Sequence, residues 1–466
     1  MKMTLLRVLL TVSYIAACVG SSPKIGAASA EEVLAGAPGF PIGRNENTAR
    51  ELPDLGEEAT LSDYLAYAAL NNPGLEAAFN RWQAAREGAN QARFLPDPRF
   101  SYSYFIKEVE TRVGPQRQRF ELAQKFPWFG VLRLQGEAAS EAASAAEAQY
   151  QSEKLNLFER VTHAYYEYYY LMRATATVRQ HRDLMKSFVD IARARYRTDI
   201  ARSAEVIRAQ VELGKLDDRL RSLQDLRGPA VARLNAALNR PQEADLPDPN
   251  RPPQEPLAVT EQEILAGLAV TNPELGALDH EATKEEHRID LARKQGFPDF
   301  TLGLTYIDTD EAVMPGASDS GKDPIAAMLS INLPIWREKY RAAEREAAAR
   351  HLAVAGKKEE RQNALEADIA MTMYKLRDAE RKVDLYRDTL LPKARQSMNT
   401  TEAAFRAGSA TLLDLLDAER ILLEFELSGE RAFADRGQSM AKLEALSGRS
   451  LSRESGFYTT SGGDDR

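Results

Sequence analysis

The chain has 466 residues and a formal charge of −8, from 61 Lys and Arg against 69 Asp and Glu. This acidic balance argues against a nucleic-acid-binding protein, whose contact surface is basic. A mean hydropathy of −0.44 excludes a bundle of lipid-spanning helices, but not a β-barrel, whose strands alternate polar and apolar residues. One cysteine excludes a disulfide framework and a zinc site built on cysteines, and five scattered histidines argue against a catalytic metal cluster.

The amino terminus has the features of an export signal. Two basic residues precede an apolar stretch over residues 8–17, which has the length of a signal-peptide core and is too short to span a bilayer. An Ile-Ala-Ala sequence stands directly before Cys18, as in the lipobox of bacterial lipoproteins, which predicts removal of residues 1–17 and lipidation of the cysteine. The alternative is an ordinary signal peptide over residues 1–30, cleaved at an Ala-x-Ala site. Residues 18–60 are then predicted to form an irregular arm.

The rest of the chain contains an internal sequence repeat. The matched segments are 71–76 with 271–276, 95–100 with 297–300, 125–128 with 332–336, 196–199 with 405–408, and 234–240 with 443–449. The offset grows only from 200 residues, between Asn72 and Asn272, to 209 residues, between Tyr196 and Phe405, which indicates an internal duplication. We therefore assign a first repeat at 61–240, a Pro-rich linker at 241–260, a second repeat at 261–449 and a flexible tail at 450–466.

The sequence of each repeat predicts a helix, a β-hairpin, a long helix and a final helix, in that order. The first repeat has helices at 61–93, 131–196 and 201–240, with two strands on either side of a turn at 110–115. The second repeat has helices at 261–294, 337–400 and 411–446, with strands at 300–307 and 325–333. The strands alternate aromatic or aliphatic residues on one face with mostly polar ones on the other. The long helices would reach about 100 Å, and the two shorter helices of each repeat match that length when placed end to end.

The strand pattern has a geometric consequence. Strands of this length cross a bilayer core when tilted, but four strands cannot close a barrel and an open sheet edge cannot lie in lipid. The chain is therefore expected to supply part of an oligomeric barrel, of eight strands for two copies or twelve for three, of which only the larger leaves an open lumen. The alternative is a soluble coiled-coil protein with incidental hairpins.

These features resemble the outer-membrane efflux protein family, the TolC-like outer-membrane factors. The segments that carry the resemblance are the two Asn-Pro pairs, the two Pro-Asp pairs before the strands, the corners Phe126-Pro127-Trp128 and Leu333-Pro334-Ile335-Trp336, and two tip motifs at 196–205 and 405–417. The resemblance implies a mainly α fold with a small β part. In that fold, long helical hairpins form a periplasmic tunnel, and four strands per chain contribute to a trimeric twelve-stranded outer-membrane barrel.

The same resemblance implies a function without catalysis. A homotrimer in the outer membrane would dock on a periplasmic adaptor and an inner-membrane efflux transporter and act as their passive exit duct for metal cations or small toxic compounds. The short first loop, residues 111–116, is similar to the heavy-metal (cobalt–zinc–cadmium resistance) branch. We expect neither an enzyme nor a bound cofactor, since no acid–base, thiol or phosphate-binding constellation is present. The alternatives are the outer-membrane duct of a type I protein-secretion system and, in another class, a periplasmic coiled-coil scaffold or adaptor.

The resemblance also implies a gate at the periplasmic tip. Asp414 and Asp417 match the family's acidic pair, and three chains would place six carboxylates around one axis, where acidic rings select cations. The alternative is that both residues only favour the amino-terminal end of a helix. Glu205 occupies the matching place in the first repeat, where it would join the ring or pair with Arg202 or Arg208.

The means of holding the gate is predicted to differ from that of some relatives. Phe405 occupies a position where some members carry a tyrosine that latches the closed tip, and phenylalanine has no hydroxyl group for such a bond. We therefore expect contacts from Arg197, Arg202 or Arg406 to hold the tip instead. The tip turns themselves are predicted at Asp199 and Gly408.

Overall fold

The computed structural model describes residues 53–198 and 202–451. The predicted signal, Cys18, most of the 18–60 arm, Asp199 and most of the 450–466 tail lie outside these residues. In the first repeat the elements are α1 (Leu61–Asn71), α2 (Pro73–Gln91), β1 (Arg99–Val109), β2 (Gln116–Phe126), α3 (Val131–Arg197) and α4 (Ser203–Leu238). In the second repeat they are α5 (Glu261–Thr271), α6 (Pro273–Lys294), β3 (Phe300–Thr309), β4 (Ile325–Ile331), α7 (Arg337–Leu385), a π-helical turn (Tyr386–Leu390), α8 (Leu391–Ala407) and α9 (Leu412–Ser447).

The first helix of each repeat is broken in two, which corrects the prediction of continuous helices over 61–93 and 261–294. The break falls at the two Asn-Pro pairs, because proline has no N–H for the helical ladder and disfavours a helical conformation in the residue before it. Asn72 is accordingly extended, with φ −77° and ψ 119°. Its side chain accepts a hydrogen bond from the Leu75 N–H at 3.1 Å and so caps α2.

The same asparagines join the shorter helices end to end. The Asn72 side chain donates to the carbonyl of Ala237, near the end of α4, at 3.0 Å. The Asn272 side chain donates to the carbonyl of Leu446, near the end of α9, at 2.8 Å. Because α2 and α4 both pack against α3, the predicted arrangement of two shorter helices beside one long helix is confirmed.

The long helix of the second repeat is interrupted, which the sequence interpretation missed. A π-helical turn spans Tyr386–Leu390 and ends two residues before Pro392, which lacks the N–H that would continue the α-helical ladder. Gly429 of α9 faces this turn, and a Cβ atom placed there would lie 3.4 Å from the Tyr386 Cβ. The absence of a side chain at Gly429 therefore lets α9 approach the turn closely.

Equivalent apolar clusters support the two repeats. Each places its short helices against the long helix and the final helix. The first includes Tyr64, Leu75, Leu157, Val161, Leu234 and Leu238, and the second includes Ile264, Leu275, Leu365, Ile369, Leu443 and Leu446. A fully buried aliphatic or aromatic side chain stabilises the fold by about 1.5–3 kcal/mol, so these clusters supply much of the stability of each repeat. No helix of the described residues is both long enough and apolar enough to cross a membrane.

The four strands form one antiparallel sheet in the order β1-β2-β3-β4. Cross-strand pairing sets Tyr102 opposite Phe120, Phe120 opposite Tyr306 and Tyr306 opposite Ile325, so one apolar face runs across all four strands. The outer end of this face is open to solvent, with Ile106 at 94% exposure. Residues of the other face include Ser103, Arg119, Glu121 and Thr305. This order places β1 and β4 at the two edges of the sheet, where each strand pairs on one side only within the described chain.

Candidate gate at the helical tip

The tip is the region where α3 ends, α4 begins and a turn joins α8 to α9. At the second turn Gly408 has a φ of 80°, a left-handed conformation that glycine adopts without steric cost. This conformation lets the N–H of Ser409 donate to the carbonyl of Ala404 at 2.9 Å, closing the end of α8. Gly408 thus lies in the turn where the sequence predicted it.

Asp414 is part of the cap that starts α9. Its carboxylate accepts hydrogen bonds from the Thr411 N–H at 2.9 Å and the Thr411 hydroxyl at 2.7 Å. The Asp414 N–H in turn donates to the Thr411 hydroxyl oxygen at 3.2 Å, which completes a capping box. The hydroxyl and N–H of Thr411 lower the pKa of Asp414, so this carboxylate stays charged at pH values below the usual range of aspartate.

Asp417 lies one turn further along the same helix and is exposed, as is Asp414. The other side of α9 is buried through Leu412, Leu415 and Leu416. The single chain therefore presents two neighbouring carboxylates on the uncovered side of α9, as the spacing predicts.

Glu205 lies apart from this pair, in the first turn of α4, and is half-buried. Its N–H donates to the carbonyl of Arg202 at 3.0 Å. Among the described residues its carboxylate forms no ion pair with Arg202 or Arg208. Of the two alternatives for Glu205, the ion pair is thus not formed in this chain, and a place in the ring stays a prediction.

The three arginines expected to hold the tip take other positions. Arg197 is the exposed last residue of α3, and Arg202 is the exposed residue that precedes α4. Arg406 forms an ion pair with Glu402 one turn earlier in its own helix. Within the part of the chain that the structure describes, no side chain of these three arginines links the first hairpin to the second, so their role in the gate stays a prediction.

A residue that the sequence interpretation did not single out makes that link. Arg195 of α3 donates a hydrogen bond from its guanidinium group to the carbonyl of Phe405 on α8 and a longer one to the carbonyl of Arg406 at 3.5 Å. The guanidinium carbon also lies 4.1 Å from the centre of the Phe405 ring. A cation is favoured both at a helix carboxyl end and over an aromatic face, so one arginine binds the end of α8 in two ways.

Phe405 is held from its other side by the apolar core of the tip. Its side chain is 2% exposed and belongs to a cluster shared by α3, α4, α8 and α9. Other members of the cluster are Met185, Phe188, Leu412, Leu415 and Leu416. The Phe405 ring is therefore fixed by the apolar core on one side and covered by the guanidinium group of Arg195 on the other.

The described residues contain no group of three or more His, Cys, Asp or Glu side chains placed to hold a metal ion. The chemistry available at the tip is therefore that of exposed carboxylates and of arginine contacts between helices. The exposed carboxylates can attract cations.

The architecture is that of the TolC-like outer-membrane factors: duplicated long helical hairpins, each joined to a β-hairpin, with the four strands forming one sheet. The sequence matches the outer membrane efflux protein family over residues 65–240 and 266–449. The chain belongs to this family of outer-membrane efflux channels, and it is a protein of the outer membrane that extends into the periplasm.

Individual relatives are distant. The cobalt-zinc-cadmium resistance protein CzcC of Cupriavidus metallidurans is 21% identical over 429 residues, which cover 88% of this chain and 96% of that protein. The outer membrane protein VceC of Vibrio cholerae has a TM-score of 0.68 at 19% identity, covering 84% of this chain and 96% of VceC. The open state of the MtrE outer membrane channel of Neisseria gonorrhoeae has a TM-score of 0.67 at 20% identity, covering 84% and 90% of the two chains.

Proposed function

We propose that three copies of this chain form the exit duct of a tripartite efflux pump. The duct is passive and receives metal cations or small toxic compounds from an inner-membrane transporter through a periplasmic adaptor. The observation that carries the proposal is the sheet, which has one continuous apolar face and two edges without partner strands. Such a sheet is stable in lipid only when neighbouring copies pair with its edges.

The number of copies follows from the need for an open barrel lumen. Two chains would give eight strands, and a barrel of that size is filled by its own side chains. Three chains give twelve strands and an open lumen. Three copies of the tip would also bring three pairs of Asp414 and Asp417 around one axis, which supports a cation-attracting gate.

The proposed cargo includes divalent metal cations. CzcC is named for resistance to cobalt, zinc and cadmium, and an acidic tip suits cations of that kind. If the proposal is correct, removing the protein from its bacterium raises the cell-associated cobalt, zinc or cadmium at subtoxic exposure, and restoring it reverses the rise. Elemental analysis of the cells measures the metals, and a fluorescent efflux dye tests small organic compounds. Unchanged levels of both metals and dye would contradict the proposed duct.

The acidic pair gives a second test. In planar bilayers we expect the double variant Asp414→Asn, Asp417→Asn to lose several-fold in cation-over-anion permeability, because uncharged amides no longer attract cations to the constriction. The single variants separate the two interpretations of these residues. If both acids serve only the start of α9, Asp414→Asn lowers thermal stability and neither variant changes ion selectivity, which would end the ring hypothesis.

A further inference from the structure

A group of charged side chains with a buried centre joins the two hairpins above the tip. We name it the His181 cluster, and it consists of His181 on α3, Arg395 on α8, and Glu419 and Glu426 on α9. The ring nitrogen Nδ1 of His181 lies 2.9 Å from Glu419 Oε1, and Nε2 lies 3.0 Å from Glu426 Oε2. The side chains of His181 and Glu419 are 6% and 5% exposed. Arg395 donates to the other oxygen of Glu426 at 3.1 Å.

This geometry fixes the protonation state of the histidine. A neutral imidazole carries one N–H, so it can donate to only one of two carboxylates, whereas the imidazolium ion donates to both. Burial by itself would lower the pKa of His181, but the hydrogen bonds to Glu419 and Glu426 outweigh it and raise the pKa to about 9. The hydrogen bond from His181 likewise lowers the pKa of Glu426. With His181 and Arg395 charged, the cluster has no net charge.

The elements around His181 contribute few other charges. From α9 the groups that face it are the two glutamates, and from α8 it is Arg395, which lies behind Glu426. From α4, Leu216 and Leu220 enter the same apolar core, while the charged residue Glu212 of α4 is paired with Arg420 at 3.1 Å. On α3 itself, the neighbouring Arg182 is paired with Asp183 at 3.2 Å.

The location of the cluster connects it to the gate. His181 lies fourteen residues before Arg195 on α3, about 20 Å along a straight helix. Between these two positions the contact between α3 and the α8–α9 hairpin is apolar, through residues such as Met185, Phe188 and Leu416. The His181 cluster and Arg195 therefore form two polar contacts, one at each end of the apolar contact between α3 and the α8–α9 hairpin. Any opening that swings α8 and α9 away from α3 above the tip separates the histidine from its carboxylates.

We propose that the His181 cluster makes opening of the gate pH-dependent, because separating α9 from α3 releases a proton from the histidine. The inference rests on the proposed exit duct and adds a means of regulation to it. In the packed arrangement the imidazolium is held by two carboxylates, and in a separated arrangement it is in water and returns to an ordinary histidine.

The direction of the effect follows from the raised pKa. Below about pH 6.5 the histidine is protonated in both arrangements, so its full contribution to packing is present. Between about pH 6.5 and 9 only the packed arrangement holds the proton, and its advantage falls about tenfold per pH unit. Above pH 9 that advantage is gone. Opening therefore becomes easier as the pH rises, by up to about 300-fold per chain over the whole window.

The test is the pH profile of channel opening in planar bilayers. Open probability of the wild type should rise at least tenfold between pH 6.5 and 9. His181→Gln should open more readily at pH 6.5 and lose the pH dependence, while His181→Lys, which keeps a charge throughout the window, should stay closed without pH dependence. The matched control is His280→Gln. His280 also bonds a glutamate of α3, Glu141, at 2.7 Å, but its side chain is 43% exposed, so the wild-type profile should persist.

The outcomes distinguish this inference from the proposed function. A wild type that forms no channel contradicts the exit duct itself. Channels whose pH slope is the same in the wild type, His181→Gln and His181→Lys overturn the pH-dependent gate alone. If His181→Gln fails to assemble, His181→Lys still tests the inference. A pH dependence of open probability in His181→Lys equal to that of the wild type would be incompatible with proton release from the histidine.

Discussion

Arg195→Ala is expected to give a channel that leaks at rest. The substitution removes a charge-assisted hydrogen bond to the Phe405 carbonyl and the stacking of the guanidinium on the Phe405 ring. A hydrogen bond to a charged group contributes about 1.5–3 kcal/mol, and a partly desolvated cation–π contact adds about 1 kcal/mol. A loss of about 3 kcal/mol shifts a closed-to-open equilibrium about 100-fold in each chain. Resting conductance in planar bilayers measures the leak directly.

A neighbouring arginine provides the matched control for this prediction. Arg197 lies two residues further along α3 and is exposed, so Arg197→Ala changes the net charge equally but leaves the link between α3 and α8 in place. Arg195→Lys should fall between the wild type and Arg195→Ala, because an ammonium group keeps the charge without the planar stacking surface. A resting conductance of Arg195→Ala equal to that of the wild type would show that Arg195 does not hold the tip.

Leu329→Arg is expected to prevent assembly in the outer membrane. Leu329 lies on the apolar face of β4 and is 62% exposed in the single chain, and Leu302 is directly opposite on β3. An arginine on the lipid face of a barrel costs about 2–4 kcal/mol near the middle of the bilayer. The cost recurs in each of three chains. The amount of oligomer extracted from the outer-membrane fraction measures the effect, and it should fall by tenfold or more.

The control for this prediction is the next residue in the strand. Ser330 lies opposite Thr301, on the other face of the sheet, because side chains alternate along a strand. Ser330→Arg should therefore assemble at near wild-type levels. If both variants assembled equally well, the apolar face of the sheet would not be the lipid-facing one.

Much of the fold could be predicted from the sequence, because duplication and periodicity are local patterns. The two repeats, the order of their elements and the alternating strands were all readable in this way. The breaks at the Asn-Pro pairs were missed, although the pairs themselves were recognised as markers of the repeat. The π-helical turn before Pro392 was missed because a proline within a helical pattern indicates that the helix is interrupted but not which form the interruption takes.

The gate was only partly predictable. The acidic pair and the glycine turn are marked by short motifs, whereas the link from Arg195 to Phe405 joins residues 210 positions apart. The contact between His181 and Glu419 spans 238 positions. One signal was present for the latter: Glu419 continues the buried stripe of Leu412, Leu415, Leu416 and Leu423 at helical spacing, and a glutamate in such a stripe requires a buried partner.

The central claim is that one chain supplies a third of a pore wall, and the number of chains in the detergent-extracted particle tests it most directly. Light scattering coupled to size exclusion, corrected for bound detergent, should give three chains per particle. A single chain that stays in solution without detergent, with the apolar face of its sheet covered by its own helices, would contradict the account.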